Sequence, residues 1–378
     1  MIPFNKPYLT GNEVKYINEV LTSRRFSGDG RFSKKCAHWM EKNLNCKKAI
    51  LVPSGTAALE MMMLLADIKP GDEVIMPSFT FSSTANAVVL RNATPVFIYI
   101  RPDTLNIDEK QIEAAITQKT KAICPVHYAG VPCEMDTIIA TAKKYNLLVL
   151  NDAAQAILSK YKDNQVCSMG DMSAVSFHET KNIQCGEGGA LLINNPQFIE
   201  RAEIIMEKGT DRSKFIRGEV DRYTWVDLGS SMLINEITAA FLWAQLEYAR
   251  IITSKRLELW NKYNEAFLEL DEKNIIKKPK LPVDCKHNGH IYYLLNKNSN
   301  DRDVIMDRLK EHKIHSTFHY IPLDSAKAGG RFTHKHPNNL PITSDISSRI
   351  LRMPLYYELD IDKTIKLSTN IIESVIVN

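Results

Sequence analysis

Cysteines are few and widely spaced in this sequence of 378 residues. There are seven, and no two of them form a CxxC pair: Cys36, Cys46, Cys124, Cys133, Cys167, Cys185 and Cys285. Zinc knuckles and disulfide frameworks both need closely and regularly spaced cysteines. The spacing therefore indicates neither a metal site nor a disulfide scaffold, and it favours reduced thiols in a cytoplasmic protein.

The sequence also lacks an excess of charge of either sign. Its 48 basic and 44 acidic residues leave a formal net charge of +4. So small a surplus does not build the positive field by which proteins attract nucleic acid. We therefore expect no nucleic-acid partner, whereas a small anionic ligand is compatible with the composition.

Long apolar runs are absent as well. The most apolar stretch, ALEMMMLLADI, is short and contains Glu60 and Asp67, whereas a membrane-spanning helix needs about 20 apolar residues. The first residues, MIPFNKPYLTGNEV, do not follow the basic-then-apolar pattern of a signal peptide. These features predict a soluble intracellular protein without a membrane partner.

What the sequence does contain is a regular alternation of strand and helix signals from about residue 12 to 150. Short apolar runs such as KKAILV, EVIMP and LLVLND are separated by segments with helical periodicity, among them TAALEMMMLLADI. This alternation predicts an α/β protein with a mostly parallel sheet that is covered on both faces.

The length predicts two domains, because one hydrophobic core rarely serves so many residues. We assign residues 1–250 to a large domain and residues 251–378 to a smaller C-terminal α+β domain, where strand and helix signals mix. Apolar residues at helical spacing over 235–268, without glycine or proline, predict one long helix that bridges the two domains.

Two charged residues stand at the ends of apolar, strand-like runs. Asp152 ends LLVLND, and Lys181 follows AVSF in the stretch SFHETKNIQCGEGG. In α/β proteins, ligand crevices open at the carboxyl ends of the strands. The ordinary alternatives are a helix N-cap for Asp152 and a solvated lysine in a hairpin for Lys181.

Two further segments contain candidates for ligand contacts. Ser54, Gly55 and Thr56 stand between a strand and a helix, where hydroxyls and free N–H groups can hold a phosphate. Phe79 or Phe81, after the strand EVIMP, could lie on a planar ligand. The alternatives are helix capping for the hydroxyls and core packing for the phenylalanines.

These four features share one chemical explanation. Pyridoxal 5′-phosphate needs a lysine for its aldehyde, an anion for its ring nitrogen, an aromatic neighbour and a phosphate site. A dinucleotide site explains them less well, because the glycines of SGDGRF and GEGG lack the strand-to-helix context of that fingerprint. The order of the residues therefore predicts a pyridoxal-phosphate enzyme.

A series of motifs covers essentially the whole chain: IPFNKP, PSGTAALE, PSFTF, PVHYAG, NDAAQA, SFHETKN, GEGGALLIN, WAQLE and FHYIPL. In this order they resemble the DegT/DnrJ/EryC1/StrS family of sugar-nucleotide aminotransferases. The resemblance implies fold type I (aspartate aminotransferase-like), with an N-terminal arm, a large domain with a mostly parallel mixed sheet and a small C-terminal domain. It also implies a homodimer whose subunits share the active sites.

The resemblance assigns roles to individual residues. Lys181 would be the Schiff-base lysine and Asp152 the partner of the pyridine nitrogen. Gln155 would contact the phenolic oxygen of the cofactor, and Phe81 would stack on its ring. Gly55, Thr56 and Ser176 would bind the phosphate.

Other positions match the family less closely. Many members carry an asparagine in G-x-N-x-R-M that reaches the phosphate in the neighbouring subunit; here Ser231 stands at that position and Leu233 replaces the arginine. Ser231 can still donate a hydrogen bond. The segments that border the sugar nucleotide in relatives contain the expected substrate contacts Gly28, Asp29, His319 and Tyr320.

The implied reaction has two halves. L-Glutamate converts the cofactor to pyridoxamine phosphate, which then aminates the C4 ketone of dTDP-4-keto-6-deoxy-D-glucose. The product is a dTDP-4-amino-4,6-dideoxyhexose, galacto or gluco, for O-antigen or enterobacterial common antigen synthesis. A dehydrating branch of the family has a histidine in place of the lysine, so Lys181 favours transamination. The alternatives are a 3-keto or other keto-sugar nucleotide, or a non-catalytic, regulatory protein on this fold.

Overall fold

The computed structural model describes residues 1–333 and 340–376. The strands in these ranges are β1 (Lys48–Val52), β2 (Glu73–Pro77), β3 (Thr94–Ile98), β4 (Thr120–Ile123), β5 (Leu148–Asp152), β6 (Lys160–Tyr161), β7 (Asn164–Gln165), β8 (Met172–Ser176), β9 (Gly189–Ile193), β10 (Ile276–Lys277), β11 (Cys285–Lys286), β12 (Tyr292–Asn296) and β13 (Ile350–Met353). Seven of them form one large sheet in the order β1-β9-β8-β5-β4-β2-β3. Two three-stranded sheets have the orders β10-β12-β13 and β11-β6-β7.

The large sheet is mixed but mostly parallel, as predicted. Strands β3, β2, β4, β5 and β8 are paired in parallel, and β9 runs antiparallel to both β8 and β1. Three of its inner strands, β2, β8 and β9, are buried along their whole length. Separate apolar clusters pack on its two faces, which explains why the strand segments are almost continuously apolar.

Helices follow most of these strands. In chain order they are α1 (Glu13–Ser23), α2 (Arg31–Leu44), α3 (Gly55–Leu65), α4 (Ser82–Val89), α5 (Glu109–Ala115), α6 (Met135–Tyr145), α7 (Ile199–Met206), α8 (Arg212–Ile216), α9 (Glu236–Glu247), α10 (Ala249–Ala266), α11 (Leu268–Glu272), α12 (Ser299–Glu311), α13 (Lys327–Phe332), α14 (Pro341–Arg349) and α15 (Ile361–Ile376). None of the helices within 1–333 and 340–376 combines the length and the apolar character needed to cross a lipid bilayer.

The single helix expected over 235–268 is in fact two helices. Helices α9 and α10 meet at Tyr248, whose φ of -102° and ψ of 5° end the first helix. Helix α9 packs against α1 and α2, whereas α10 packs against α15. The chain turns at Tyr248 because its two halves bury their apolar faces in different layers, although no glycine or proline marks the break. The predicted domain boundary at residue 250 lies just inside α10.

The start of α2 depends on a carboxylate from a distant part of the chain. Glu236, at the first position of α9, is buried and accepts hydrogen bonds from the backbone N–H groups of Gly30 (3.2 Å), Phe32 (2.7 Å) and Ser33 (2.9 Å). The Ser33 hydroxyl donates to the same carboxylate. A Cβ added at Gly30 would lie 2.5 Å from the Glu236 carboxyl carbon, so a larger residue there would displace this carboxylate. Four donors at a helix N-terminus thus bind one negative charge.

We expect the Glu236→Gln substitution to destabilise the large domain. The amide removes the charge and one acceptor oxygen from buried donors, which should lower the free energy of unfolding by about 2–3 kcal/mol. Urea denaturation followed by tryptophan fluorescence measures this loss. The matched control is Glu258→Gln on an exposed part of α10, where the carboxylate pairs only with Lys255. Equal denaturation midpoints for the two variants would contradict the proposed cap.

Candidate active site

One cavity of about 640 Å³ lies at the carboxyl ends of the sheet strands, against the C-terminal part of the chain. Ten of the residues singled out from the sequence line it: Ser54, Gly55, Thr56, Phe81, Asp152, Gln155, Ser176, Lys181, His319 and Tyr320. They are brought together from segments that are up to 266 residues apart, from 54 to 320. The fold therefore gathers most of the predicted site in one place.

Lys181 lies in the connection between β8 and β9, where its backbone N–H donates to the carbonyl of His178 at 2.8 Å. Burial lowers the pKa of its amine to about 8; the charge of Asp152 opposes this shift and that of Arg352 adds to it. No carboxylate in the described ranges forms an ion pair with it within 4 Å. Lys181 is therefore only partly exposed and is not neutralised by a fixed partner, and about a tenth of its amine is uncharged at pH 7.

Asp152 is the last residue of β5 and only 5 % exposed. Its Oδ2 accepts from the Thr84 hydroxyl at 2.7 Å and its Oδ1 from the backbone N–H of Ala154 at 3.1 Å. Burial raises the pKa of the carboxyl, while these two hydrogen bonds and the charge of Lys181 lower it. Within the described residues no cation pairs with it directly. A buried carboxylate with spare acceptor capacity suits a cationic N–H of a ligand.

The N-terminus of α3 faces the same cavity. Ser54 is the N-cap of this helix, since its hydroxyl accepts from the N–H of Ala57 at 3.0 Å. Thr56 places its hydroxyl 2.8 Å from that of Ser83. A Cβ on Gly55 would lie 2.8 Å from the Ser176 Cβ, so the glycine allows the helix to begin directly beside the end of β8. The first N–H groups of the helix and these hydroxyls form a site for an anion.

The two phenylalanines differ in position. Phe79 is 1 % exposed and packs against Tyr128, with ring centroids 5.2 Å apart, so it belongs to the core. Phe81 is 60 % exposed and lines the cavity at the start of α4. Of the two candidates, only Phe81 can cover a planar ligand.

Gln155, His319 and Tyr320 form a further part of the cavity wall. Gln155 accepts from the backbone N–H of Ala129 at 2.7 Å and donates to the Tyr320 hydroxyl at 3.2 Å. Nδ1 of His319 lies 2.9 Å from the Tyr128 hydroxyl. Burial lowers the pKa of His319 well below its usual range, and the charges of Arg352 and Lys181 act in the same direction. The imidazole is therefore neutral at physiological pH.

Three of the predicted residues lie elsewhere in the chain. Gly28 packs against the backbone of Ile234, and Asp29 lines a separate cavity of about 390 Å³ beside α2. Ser231 is exposed and forms a backbone bridge with Glu207. None of these three lines the cavity that contains Lys181 in the same subunit.

Two arginines in the cavity wall were missed. Arg256 of α10 is buried and donates to the backbone carbonyls of Gly289 (3.1 Å) and His290 (2.8 Å). Arg352 belongs to β13, within the apolar run ILRMP. A single charged residue inside an otherwise buried strand is a signal that could have identified Arg352.

Comparison with known proteins gives matches over nearly the whole chain. Residues 7–372 match the model of the DegT/DnrJ/EryC1/StrS aminotransferase family. The chain is 32% identical to the spore coat polysaccharide biosynthesis protein SpsC of Bacillus subtilis, with 98% of this chain and 97% of that protein covered. It is 31% identical to the GDP-perosamine synthase of Escherichia coli O157:H7, with 98% of each covered.

A solved structure has the same architecture. A sugar aminotransferase of Streptococcus pneumoniae, in its PLP form, superposes with a TM-score of 0.89 at 25% identity, and 99% of each chain is covered. The predicted fold type I is thus confirmed. Because the family model spans nearly the whole chain and both relatives exceed 30% identity, this protein belongs to the DegT/DnrJ/EryC1/StrS aminotransferase family.

Proposed function

We propose that this protein transfers the amino group of L-glutamate to the C4 ketone of dTDP-4-keto-6-deoxy-D-glucose, with pyridoxal 5′-phosphate as cofactor. The observation that carries the proposal is the presence of Lys181 and Asp152, each without an ion-pair partner among the described residues, in one cavity. The product is a dTDP-4-amino-4,6-dideoxyhexose for a surface polysaccharide such as O-antigen or enterobacterial common antigen.

The residues that line the cavity match the chemical groups of the cofactor one by one. Pyridoxal phosphate supplies an aldehyde for the lysine and a ring that accepts electrons while a proton moves. Asp152 would accept a hydrogen bond from the ring nitrogen and keep it protonated, which offsets the cost of burying the carboxylate. Phe81 would cover the ring, and Gln155 would donate to its oxygen. The N-terminus of α3, with Gly55, Thr56 and Ser176, would bind the phosphate.

Lys181 has two roles in this account. Its amine must be uncharged to bond to the cofactor, and once released it must accept and return a proton beside the reacting carbon. Burial holds its pKa at about 8, well below that of a solvated lysine. Near neutral pH the amine can therefore both lose and regain a proton, which is the property that such a role requires.

The identity of the acceptor is the least constrained part of the proposal. The relatives are named for different products, a spore coat polysaccharide and GDP-perosamine. The proposed acceptor rests on the sequence motifs, and a GDP-linked or 3-keto sugar is the alternative. His319 and Tyr320 line the cavity beside Gln155 and are the proposed contacts to the sugar. The seven thiols are free and buried, which fits the proposed cytoplasmic location.

We further propose that the protein acts as a homodimer with shared active sites. The segment from 215 to 228 exposes a group of large apolar side chains: Phe215, Ile216, Tyr223, Trp225, Val226 and Leu228. A patch of this kind is typical of a protein interface. Ser231 follows it directly, so a second copy docked here would place Ser231, Gly28 and Asp29 near the interface and within reach of the neighbouring cavity.

The first test of the function is turnover. The wild type with L-glutamate and dTDP-4-keto-6-deoxy-D-glucose should yield an amino sugar nucleotide, and Lys181→Ala should lose both the yellow colour and the product. Lys121→Ala, which removes an exposed lysine from β4 of the same sheet, should keep both. Mass spectrometry measures the product, and the proton coupling between H3 and H4 separates the galacto from the gluco form.

Two outcomes would contradict this proposal. Turnover by Lys181→Ala would exclude the assigned lysine. A wild type that binds the cofactor but aminates no dTDP-linked, GDP-linked or 3-keto sugar would favour a non-catalytic protein on this fold.

The second test uses pH. Only the neutral amine reacts with the aldehyde, so cofactor uptake by apoprotein should accelerate about tenfold per pH unit below pH 8 and level off above it. The charge of Asp152 raises the pKa of Lys181, so Asp152→Asn should move the plateau to lower pH. Stopped-flow absorbance follows the uptake. A rate that climbs steadily up to pH 10 would indicate a solvated lysine instead.

The third test concerns the dimer. Trp225 is 79 % exposed, and Trp225→Asp would place a charge in the proposed interface. We expect it to weaken dimerisation roughly 30-fold or more, as measured by sedimentation, and to reduce activity together with dimer content. The control is Val283→Asp, at a fully exposed apolar residue outside this patch. A Trp225→Asp protein with unchanged self-association would assign the interface to another surface.

A further inference from the structure

A chain of two threonine hydroxyls ends on Asp152. The Thr84 hydroxyl donates to Oδ2 of Asp152 at 2.7 Å, and Oγ1 of Thr80 lies 2.9 Å from Oγ1 of Thr84. Both threonines are buried. A threonine hydroxyl in a helix usually bonds back to a backbone carbonyl one turn earlier. Thr84, in the first turn of α4, instead has its hydroxyl between these two side chains, so it is directed at the carboxylate.

The direction of donation along this chain follows from the number of hydrogens. Each hydroxyl has one hydrogen to donate, and an ionised carboxylate can only accept. Thr84 therefore gives its hydrogen to Asp152, and Thr80 gives its own to the oxygen of Thr84. The reverse order would need a protonated Asp152 and would leave the Thr80 hydroxyl without an acceptor among the described residues. The arrangement thus favours the ionised carboxylate.

Two donors fix the plane of this carboxylate. Thr84 occupies Oδ2, and the backbone N–H of Ala154 occupies Oδ1 at 3.1 Å. Burial raises the pKa of the Asp152 carboxyl, and the hydrogen bond from Thr84 is the strongest of the influences that lower it. A hydroxyl that itself accepts a hydrogen bond is a stronger donor, so Thr80 reinforces Thr84.

The titratable groups that face Asp152 in the described part of the chain do not supply equivalent support. Burial raises the pKa of Cys124 and of Tyr320 above their usual ranges, so both are neutral near pH 7. Lys181 acts on Asp152 through its charge, without a direct ion pair, and the proposed reaction needs that amine in its uncharged form. The hydroxyl chain is therefore a support that does not change as the amine gains and loses its proton.

The same helical turn reaches the other end of the proposed cofactor site. Phe81, the N-cap of α4, lines the cavity, and the Ser83 hydroxyl lies 2.8 Å from that of Thr56. Phe81 is proposed to cover the ring, and Thr56 is a proposed phosphate ligand. The first turn of α4 therefore links the positions of the ring cover, the phosphate site and Asp152.

We infer that Thr84, supported by Thr80, is a positioning residue that keeps Asp152 ionised and aimed at the ring nitrogen of the cofactor. The inference rests on the proposed role of Asp152 and adds the residues that hold its charge. A ring nitrogen that shares a proton with a carboxylate keeps it only while the carboxylate is the weaker base, and hydrogen bonds to a carboxylate weaken it as a base. Without the Thr84 hydroxyl, the proton should move from the ring nitrogen to Asp152, and the ring should accept electrons less readily.

The experiment observes the ring nitrogen directly. Apoprotein is reconstituted with pyridoxal phosphate that carries ¹⁵N in its ring, and solid-state NMR shows whether that nitrogen bears a proton. We expect the protonated signal in the wild type near neutral pH and an unprotonated component in Thr84→Val. Valine matches the shape of threonine, so the substitution removes little besides the hydroxyl.

The half-reaction with L-glutamate gives a second readout, followed by the loss of visible absorbance. It should slow roughly 10- to 100-fold in Thr84→Val, the range that corresponds to a lost hydrogen bond to a charged group. Thr80→Val should slow it only about two- to fivefold, because Thr84 keeps its own hydrogen. Thr84→Ser keeps the hydroxyl, so it should stay within about threefold of the wild type and retain a protonated ring nitrogen.

Thr343→Val is the matched control. Thr343 of α14 is as buried as Thr84, but its hydroxyl has no hydrogen-bond partner among the described residues. This variant should leave the ring-nitrogen signal and the glutamate rate unchanged. Cofactor content and thermal midpoint are measured for all four variants, and Thr80→Val retains a readout if Thr84→Val folds poorly.

The outcomes separate this inference from the function on which it rests. A ring nitrogen that stays fully protonated in Thr84→Val overturns the inference, whatever happens to the rate. A loss that Thr84→Ser does not recover also overturns it, because it assigns Thr84 a packing role. An unprotonated ring nitrogen in the wild type removes the inference and the role of Asp152, but leaves amino transfer by Lys181 standing. A wild type that binds the cofactor and aminates no sugar removes the proposed function, while the ring-nitrogen signal still decides the role of Thr84.

Discussion

The burial of Lys181 and Asp152 in one cavity, without a direct ion pair, is the constraint on which the rest of the site depends. Each charge is costly to remove from water, and neither finds a partner within 4 Å among the described residues. Asp152 is held by two hydrogen bonds, and the lysine responds with a lowered pKa. Lys181 and Asp152 would hold the two ends of a bound pyridoxal phosphate, the aldehyde at the amine and the ring nitrogen at the carboxylate, which would relieve both costs at once.

The sheet order produces this arrangement. Strands β5 and β8 are neighbours and run in parallel, with Asp152 paired to Ala174, so their carboxyl ends open on the same edge. Two glycines, Gly55 and Gly189, then allow neighbouring segments of the backbone to approach that edge closely. A Cβ at Gly189 would lie 2.4 Å from the carbonyl carbon of Ser54, and one at Gly55 would meet Ser176. The helix N-terminus is thereby fixed beside the lysine loop, which keeps the proposed phosphate site and the reacting end of the cofactor in register.

Much of this arrangement can be predicted from the sequence, because each site residue can be placed relative to a strand that the sequence itself predicts. LLVLND and AVSF are continuous apolar runs, and a charged residue at or shortly after the end of a buried parallel strand is favourably placed to reach the strand-end crevice. The strand pattern alone does not choose between Phe79 and Phe81, since the two residues are of the same kind and two positions apart; the choice of Phe81 came from the motif resemblance. The break at Tyr248 could not be predicted either, because it depends on which neighbouring helices α9 and α10 pack against.

Arg352 and the residues outside the cavity show what could not be predicted from the sequence. In a sequence, one arginine in ILRMP does not reveal that no carboxylate lies beside it, because that is a property of the assembled walls. Gly28, Asp29 and Ser231 line no part of the Lys181 cavity in one chain, and a sequence does not show which surface meets a second copy. Their assignment to the site rests on the motif resemblance and on the proposed dimer, and it stays a prediction.

The most direct measurement of the central claim is to locate the lysine that holds the cofactor. Purified holoenzyme is reduced with borohydride, which makes the bond between lysine and cofactor permanent, and is then digested and examined by peptide mass spectrometry. The account predicts one phosphopyridoxyl group, on Lys181. Its presence on another lysine, or no labelled lysine in protein that retains the cofactor, would contradict the assignment of this site.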